Sequence, residues 1–508
     1  MMFYYLIYRD YGLLGISIDV IQYLIHTQQI LPLVRHSLVY VFPPVFLAYL
    51  IFALRKERAT HTYYYSLIAF AEFASLIVML DMTQKFSSEI IKTGANAAES
   101  TQQFDMGVPV SLDDLEEISE NLNALLKNEI PPADSNNEEK EEDPIIVKAM
   151  PEDNTFFGKN YVAAVPEIIT PPEKKKNIIL IFMESMEMTF SDSSLCGSNL
   201  IPFLQETAQK NISFSDFTDG YATNWTQASL VAATTGLPSS YLNNIKEKGQ
   251  DVNDAGKDMK QWLSGVYSLG EILRDNGYER LFVQGGSLEF SGTGNFLKSH
   301  GFRGRSFGSE ELRSYGVSEN AWGIEDKDIY GIFEDKLSHL PKDKPFFAVL
   351  TTIDTHHYNE PDYAPKMFDM RSKDTIYYAD SLIKDFLNYF YLQPYAKDTV
   401  LIITGDHLRM SGGPKSGSAF LNTVPHEKRR IYNAFINAPK IKNTDRKMSQ
   451  IDMFPTILEA AGFDIKGHKL GLGVSVFSDE KTLAEQYSKP DLNRRLRKNS
   501  PLYGALWQ

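Results

Sequence analysis

Residues 177–184, Asn-Ile-Ile-Leu-Ile-Phe-Met-Glu, constrain this chain more than any other stretch. Five consecutive large apolar residues, followed by Met183, leave no polar residue at alternate positions. The stretch therefore reads as a strand covered on both faces, as in the middle of a parallel sheet. It ends abruptly in the carboxylate of Glu184. In open α/β sheets ligands bind outside the carboxyl ends of the strands, which puts Glu184 at the rim of a site; the plainer alternative is an acid that caps the next turn. A second apolar run, residues 399–404, ends in Gly405-Asp406-His407. Two strands far apart in sequence thus each end in metal-ligand chemistry.

Strand and helix signals alternate from residue 177 onward. Helical patterns lie near 201–210, after Thr226, at 268–276, at 324–340, at 374–391 and at 449–461. Strand patterns lie at 281–283, 346–352, 399–404 and 431–436. Ser268 and Glu271 form a capping box, and Gly277 and Gly462 stand where helices should stop. This order predicts an α/β fold, a mostly parallel sheet with helices on both faces.

The preceding residues suit a different solvent. Residues 37–54 carry no charge and are long enough to span a bilayer, with Pro43 and Pro44 as a kink; residues 62–80 form a second span interrupted only by Glu72. Arg55-Lys56-Glu57-Arg58 between them assigns that loop to the cytoplasm, so the chain after residue 80 emerges on the other side. Residues 1–35, with charges inside their apolar runs, read as an interfacial or bundle-packed helix. The expected organisation is a membrane region with transmembrane α-helices at 1–84, a polar acidic tether at 85–176, the α/β domain at 177–480 and a tail at 481–508. The tether holds a helix at 110–127 and a flexible acidic stretch at 131–144.

Net charge of -14 and a pI near 5.3 argue against nucleic acid as a partner, because phosphate-backbone binding needs a basic face. The single cysteine, Cys196, excludes a disulfide-stapled fold and a four-cysteine zinc module.

Three further elements carry chemistry. Trp225-Thr226 leads into a short helix of small residues that ends at Gly236. The Thr226 hydroxyl either caps that helix or, with the helix N-terminus to hold a phosphate, acts as a nucleophile. A threonine needs a metal to be a competent nucleophile, and Glu184, Asp406 and His407 are a ligand set suited to Zn²⁺, Mn²⁺ or Mg²⁺. Just past the strand at 346–352 comes Asp354-Thr355-His356-His357. Adjacent histidines point to opposite sides of an extended chain, and His356 is taken as a donor to a phosphoryl oxygen or leaving group.

Met-Glu184-Ser, Trp-Thr226, Asp-Thr-His356-His, Thr-Gly-Asp406-His407 and Gln450-Ile-Asp-Met-Phe-Pro-Thr, in that order, resemble the alkaline phosphatase/sulfatase superfamily. The likeness is strongest to its membrane-bound phosphoglycerol transferases, of the lipoteichoic acid synthase type and the glucan phosphoglycerol transferase type, and covers about residues 177–477. The resemblance implies that Thr226 takes a phosphoglycerol unit from phosphatidylglycerol, and that Glu184, Thr226, Asp406 and His407 bind one divalent metal. Manganese or magnesium is expected, with zinc as a further candidate. His356, Asn295 and Trp225 are the implied substrate-binding residues, Asn295 within the glucan-type segment 285–296; Trp322-Gly323 is a further family motif. A glycan or glycolipid acceptor, a bacterial inner membrane location and a periplasmic or extracellular catalytic domain follow from the same likeness. No aromatic-Asn-Arg pattern of the lipoteichoic acid type stands near Phe290, and no formylglycine motif surrounds Thr226. The alternatives are a phosphoethanolamine transferase or a hydrolase on the same scaffold, or a non-catalytic membrane scaffold. Asp354 and His357 supply only part of the ligand set of a two-metal phosphatase.

Overall fold

The apolar stretch at 177–184 forms the central strand of a sheet whose neighbours come from much later in the chain. In the computed structural model, residues 151–240, 259, 262–356, 361–410 and 419–507 are described. Both proposed membrane spans, the interfacial helix at 1–35, the helix at 110–127, the flexible acidic stretch and His357 lie outside them. Among the described residues no helix is long and apolar enough to cross a membrane.

The strands are β1 (Asn177–Met183), β2 (Glu279–Gln284), β3 (Ser306–Phe307), β4 (Phe346–Thr351), β5 (Thr399–Gly405) and β6 (Asn433–Ile436), side by side in the order β6-β5-β1-β4-β2-β3. Only β6 runs antiparallel to its neighbour. The helices that matter are α1 (Pro202–Lys210), α2 (Thr226–Thr235), α3 (Leu269–Asp275), α4 (Thr293–Ser299), α5 (Asp326–Ser338), α6 (Arg371–Leu392) and α7 (Gln450–Ala460).

Alternation along β1 explains why its run had to be apolar throughout. Ile178, Leu180 and Phe182 share a core with Val231 of α2, Leu273 of α3 and Phe454 of α7. Ile179, Ile181 and Met183 join Leu204 of α1, Phe333 of α5 and Phe386 of α6 on the other face. Each such side chain contributes roughly 1.5–3 kcal/mol when fully buried. A polar residue anywhere in the run would lose that contribution and add a desolvation cost.

Capping chemistry sets several boundaries as expected. Ser268 and Glu271 form the capping box of α3, Gly236 ends α2 with φ 69°, and Gly462 turns the chain after α7 with φ 95°. Other boundaries shift: the helix expected at 374–391 spans Arg371–Leu392, and the strand expected at 281–283 spans Glu279–Gln284. The helix expected at 324–340 begins at Asp326, because Gly323–Ile324 pair with Glu319–Asn320 as a short ribbon. The strand expected at 431–436 begins at Asn433, because Ile431 bridges to Glu187 instead.

The flanks are also packed. Phe157, in a short helix at Phe156–Asn160, shares the core with Leu492, Leu496, Leu502 and Trp507 of the C-terminal helices, and Ser500 Oγ donates to Asp153.

Register brings the strand ends level. Phe182 pairs with Thr351 on one side and Thr404 on the other, and Met183 pairs with Gly405. The chain after β1 then folds across β5: a Cβ on Gly405 would sit 1.9 Å from the Met186 carbonyl oxygen. Backbone cannot yield as a flexible side chain does. Gly405→Ala is therefore expected to destabilise the domain by about 3 kcal/mol, measured by chemical denaturation; a loss under about 1 kcal/mol would show that the turn relaxes.

Candidate active site

The level strand ends set the carboxylates side by side. Glu184 N donates to Thr352 Oγ1 at 3.1 Å, and Ser185 N donates to Asp406 Oδ1 at 2.7 Å. Ser185 holds φ 51°, an uncommon backbone state for a residue other than glycine, and from it the Ser185 hydroxyl donates to Glu184 Oε1 at 2.5 Å. Thr355 Oγ1 donates to the Glu184 carbonyl, which ties the segment after β4 to the same corner.

Thr226 is the first residue of α2, and no side chain caps that helix; Trp225 holds the cap position. The Thr226 hydroxyl donates instead to Glu184 Oε2 at 3.0 Å. The hydroxyl thus does not cap the helix, and the backbone N–H groups of the first turn receive no side-chain cap.

Glu184, Asp406 and His407 offer ligand atoms within 4.8 Å of one another, all buried. His407 Nδ1 lies 2.9 Å from the Leu408 carbonyl, an obligate acceptor, so Nδ1 carries the proton and Nε2 faces the carboxylates. Nε2 is 3.5 Å from Asp406 Oδ2 and 3.7 Å from Glu184 Oε1. Asp406 Oδ2 is buried without a hydrogen-bond partner. A buried carboxylate oxygen without a partner, beside a second carboxylate and an oriented imidazole, fits a divalent cation.

The electrostatics agree with that fit. Burial opposes ionisation of Glu184, but His407, His356 and the Ser185 and Thr226 hydroxyls outweigh it and hold the carboxyl below the usual range. Burial and the Glu184 charge push Asp406 up to about 7, against the pull of His407. Burial would depress His407, yet Asp406, Glu184 and Asp219 raise it to about 9. A metal-free site thus retains protons that a bound cation would displace.

Of the residues expected to bind substrate, His356 is near enough to Glu184 to help hold its carboxyl ionised, and Trp225 directly precedes Thr226. The His356 ring lies on the Trp322 ring at a centroid distance of 3.9 Å, and Phe290 meets Trp322 edge-on at 6.4 Å. Trp225 Nε1 is buried without a hydrogen-bond partner. Asn295 lies half-buried on α4, and Thr293 of that helix donates to Gln227 Oε1, beside Thr226 in sequence, at 2.8 Å. Asp354 is engaged elsewhere: its carboxylate accepts from Asn320 Nδ2 at 3.0 Å and from Asp326 N at 2.9 Å.

Other participants carried no local signal. Glu187 is fully buried against Arg429, with Nε donating at 3.0 Å, and accepts from Arg409 N at 3.0 Å. This ion pair fastens the turn after β1 to the residues after His407. Glu187, Arg409 and Arg429 are 20 to 242 residues apart, so only the fold reveals them.

Residues 176–463 match the sulfatase family model. Phosphoglycerol transferase I of Escherichia coli O127:H6 (strain E2348/69 / EPEC) is 30% identical over 347 residues, 63% of this chain and 42% of that protein. The protein of the same name from Salmonella typhi is 29% identical over 347 residues, with the same 63% and 42% coverage. The chain spans about two fifths of the length of the curated relatives it matches. Among solved structures, a protein in the alkaline phosphatase superfamily from Vibrio parahaemolyticus aligns with a TM-score of 0.49 and 23% identity, over 64% of this chain and 77% of that one.

Proposed function

The chain belongs to the sulfatase family, whose model matches more than half of it, and on that footing we propose that it is a metal-dependent phosphotransferase. Its donor is phosphatidylglycerol, its product a phosphoglycerol-modified glycan or glycolipid outside the cytoplasm. The observation that carries this reading is the Thr226 hydroxyl, placed at a helix N-terminus and bonded to Glu184 beside Asp406 and His407. The name shared by the curated relatives supports the headgroup.

Glu184, Asp406 and His407, with Thr226 beside them, would hold one divalent cation, manganese or magnesium, with zinc as a further candidate. When bound, that ion supplies positive charge that lowers the hydroxyl's pKa and offsets charge on the phosphoryl oxygens. Thr226 Oγ1, oriented by its hydrogen bond to Glu184 Oε2, attacks phosphorus, and its proton is lost to bulk water. The bond from phosphorus to the diacylglycerol oxygen breaks, and that oxygen takes a proton from His356. The free N–H groups at the start of α2 hold the non-bridging oxygens, and Trp225 and Asn295 contact the headgroup. In the second half an acceptor hydroxyl attacks the phospho-threonine and gives its proton to His356. Thr226 leaves, taking a proton from bulk water. Membrane spans at 37–54 and 62–80 and the tether that follows would keep the site near its lipid donor, which raises the effective donor concentration.

The test is the intact mass of the full chain in detergent after incubation with Mn²⁺ and phosphatidylglycerol, with phosphatidylethanolamine in parallel. A phosphoglycerol adduct from the first lipid alone is expected. An adduct from the second alone would make the chain a phosphoethanolamine transferase, and headgroup release without any adduct would make it a hydrolase. If neither lipid labels the chain or is consumed, the catalytic reading fails and a membrane scaffold takes its place.

A further inference from the structure

Gln450, the first residue of α7, is 1% exposed, and its side-chain amide makes five hydrogen bonds. Its Nε2 donates to the Asp406 carbonyl at 3.0 Å, to Asp219 Oδ1 at 3.1 Å and, more weakly, to the Thr223 carbonyl at 3.3 Å. Its Oε1 accepts from Gly220 N at 3.0 Å and from Thr223 Oγ1 at 2.7 Å. A carboxylate and two carbonyls can only accept, and a backbone N–H can only donate. The amide therefore has one possible orientation, and no carboxylate of the same shape satisfies both sides.

Its partners are the parts of the site that must keep register. The loop from Gly220 leads into Thr226. Asp406 is a candidate ligand, and Asp219 also accepts from Leu408 N, the residue after His407, at 3.2 Å. From α2, Ser229 Oγ donates to the same Asp406 carbonyl at 2.6 Å. Two helices thus grip one peptide oxygen, and the side chain on that residue is the one whose Oδ2 has no partner. Close packing reinforces the grip: a Cβ on Gly220 would lie 3.2 Å from the Ser449 side chain, next to Gln450.

We infer that Gln450 is a positioning residue for the reaction. It holds the loop carrying Thr226 and the turn carrying Asp406 and His407 at a fixed separation, so that losing its amide lowers turnover and metal affinity while substrate binding persists. The inference rests on the phosphotransferase reading above.

The test compares the full chain in detergent as wild type, Gln450→Met, Ser229→Ala and the double variant. Free Mn²⁺ is measured by electron paramagnetic resonance, kcat and KM on bis(p-nitrophenyl) phosphate, and folding by thermal melting. Gln450→Met is expected to lower kcat and Mn²⁺ affinity each by about 10- to 100-fold, the range for groups that orient metal ligands, with KM within about twofold. The double variant should lose less than the product of the two single losses, because both residues act through the Asp406 carbonyl. If Gln450→Met does not fold, Gln450→Asn, which keeps the amide but draws it back by one methylene, takes its place. A folded variant with kcat and Mn²⁺ affinity within about twofold of wild type, or with KM raised and kcat unchanged, overturns the inference. A wild-type chain that neither binds Mn²⁺ nor turns over the diester overturns the phosphotransferase reading, and this inference with it.

Discussion

Thr226→Ala is expected to lower turnover of a phosphodiester by about ten-thousandfold or more while leaving the domain folded, because loss of a nucleophile removes the covalent path altogether. The stability side is small and can be bounded. Among the described residues the hydroxyl's hydrogen bond goes to Glu184 Oε2, and losing such a bond costs about 1–3 kcal/mol. Ser185 still donates to the other oxygen of that carboxylate, and alanine suits the first turn of a helix at least as well as threonine. The variant should therefore melt close to wild type and still bind Mn²⁺ through Glu184, Asp406 and His407. Turnover within about tenfold of wild type would remove Thr226 from the mechanism.

Mn²⁺ affinity should rise about tenfold per pH unit between pH 7 and 9, roughly a hundredfold in all, because the metal must displace protons the empty ligand set retains. His407 is raised to about 9, from an ordinary value of 6.5, and Asp406 to about 7, from 3.8. A cation takes neutral imidazole and ionised carboxylate, so binding at pH 7 releases at least one proton, and this release fades above pH 9. The stability of the metal-free chain runs the opposite way. A raised histidine pKa contributes stability that is fully present below 6.5 and lost as pH climbs through about 9. The raised Asp406 adds a loss of the same sign as pH climbs from about 4 through 7. The gain in melting temperature on adding Mn²⁺ should therefore grow with pH. Isothermal titration calorimetry in buffers of different ionisation heat counts the protons directly, and an affinity that stays flat from pH 7 to 9 would rule out this assignment of the protons.

What could be read from the sequence was whatever had a local signature. The both-faces burial of β1 and β5, the capping box of α3 and the glycine stops of α2 and α7 each involve residues within one element, and each is found in the structure. Glu184 and Asp406-His407 stood out because each follows directly on an apolar run, and the structure brings their ligand atoms within 4.8 Å of one another. Asp219, Ser229 and the Glu187–Arg429 pair carried no such signal, since their partners lie tens to hundreds of residues away; Gln450 was legible as the start of a motif, but not as the side chain that holds the Asp406 turn. Trp322 was legible as a motif, but not as the surface on which His356 rests. The packed flanks escaped for another reason. Phe156-Phe157 is a run of two and Leu492 stands alone among polar residues, both too short to show a period.

The strand order has a consequence for how the chain is made. β1 pairs with β4 and β5, and Asn177 faces Thr399, which is synthesised 222 residues later. At about 5–20 residues per second, the apolar run at 178–182 waits roughly 10–45 seconds before both of its edges are covered. A seven-residue strand with open edges and no charge is a template for pairing with other chains, so this protein's most constraining stretch is also its greatest hazard during synthesis. The corner that brings Glu184 and Asp406 together cannot exist during that interval. Glu184 meets Asp406 only after the last parallel strand has been added, so no shorter fragment ending before Gly405 assembles this cluster.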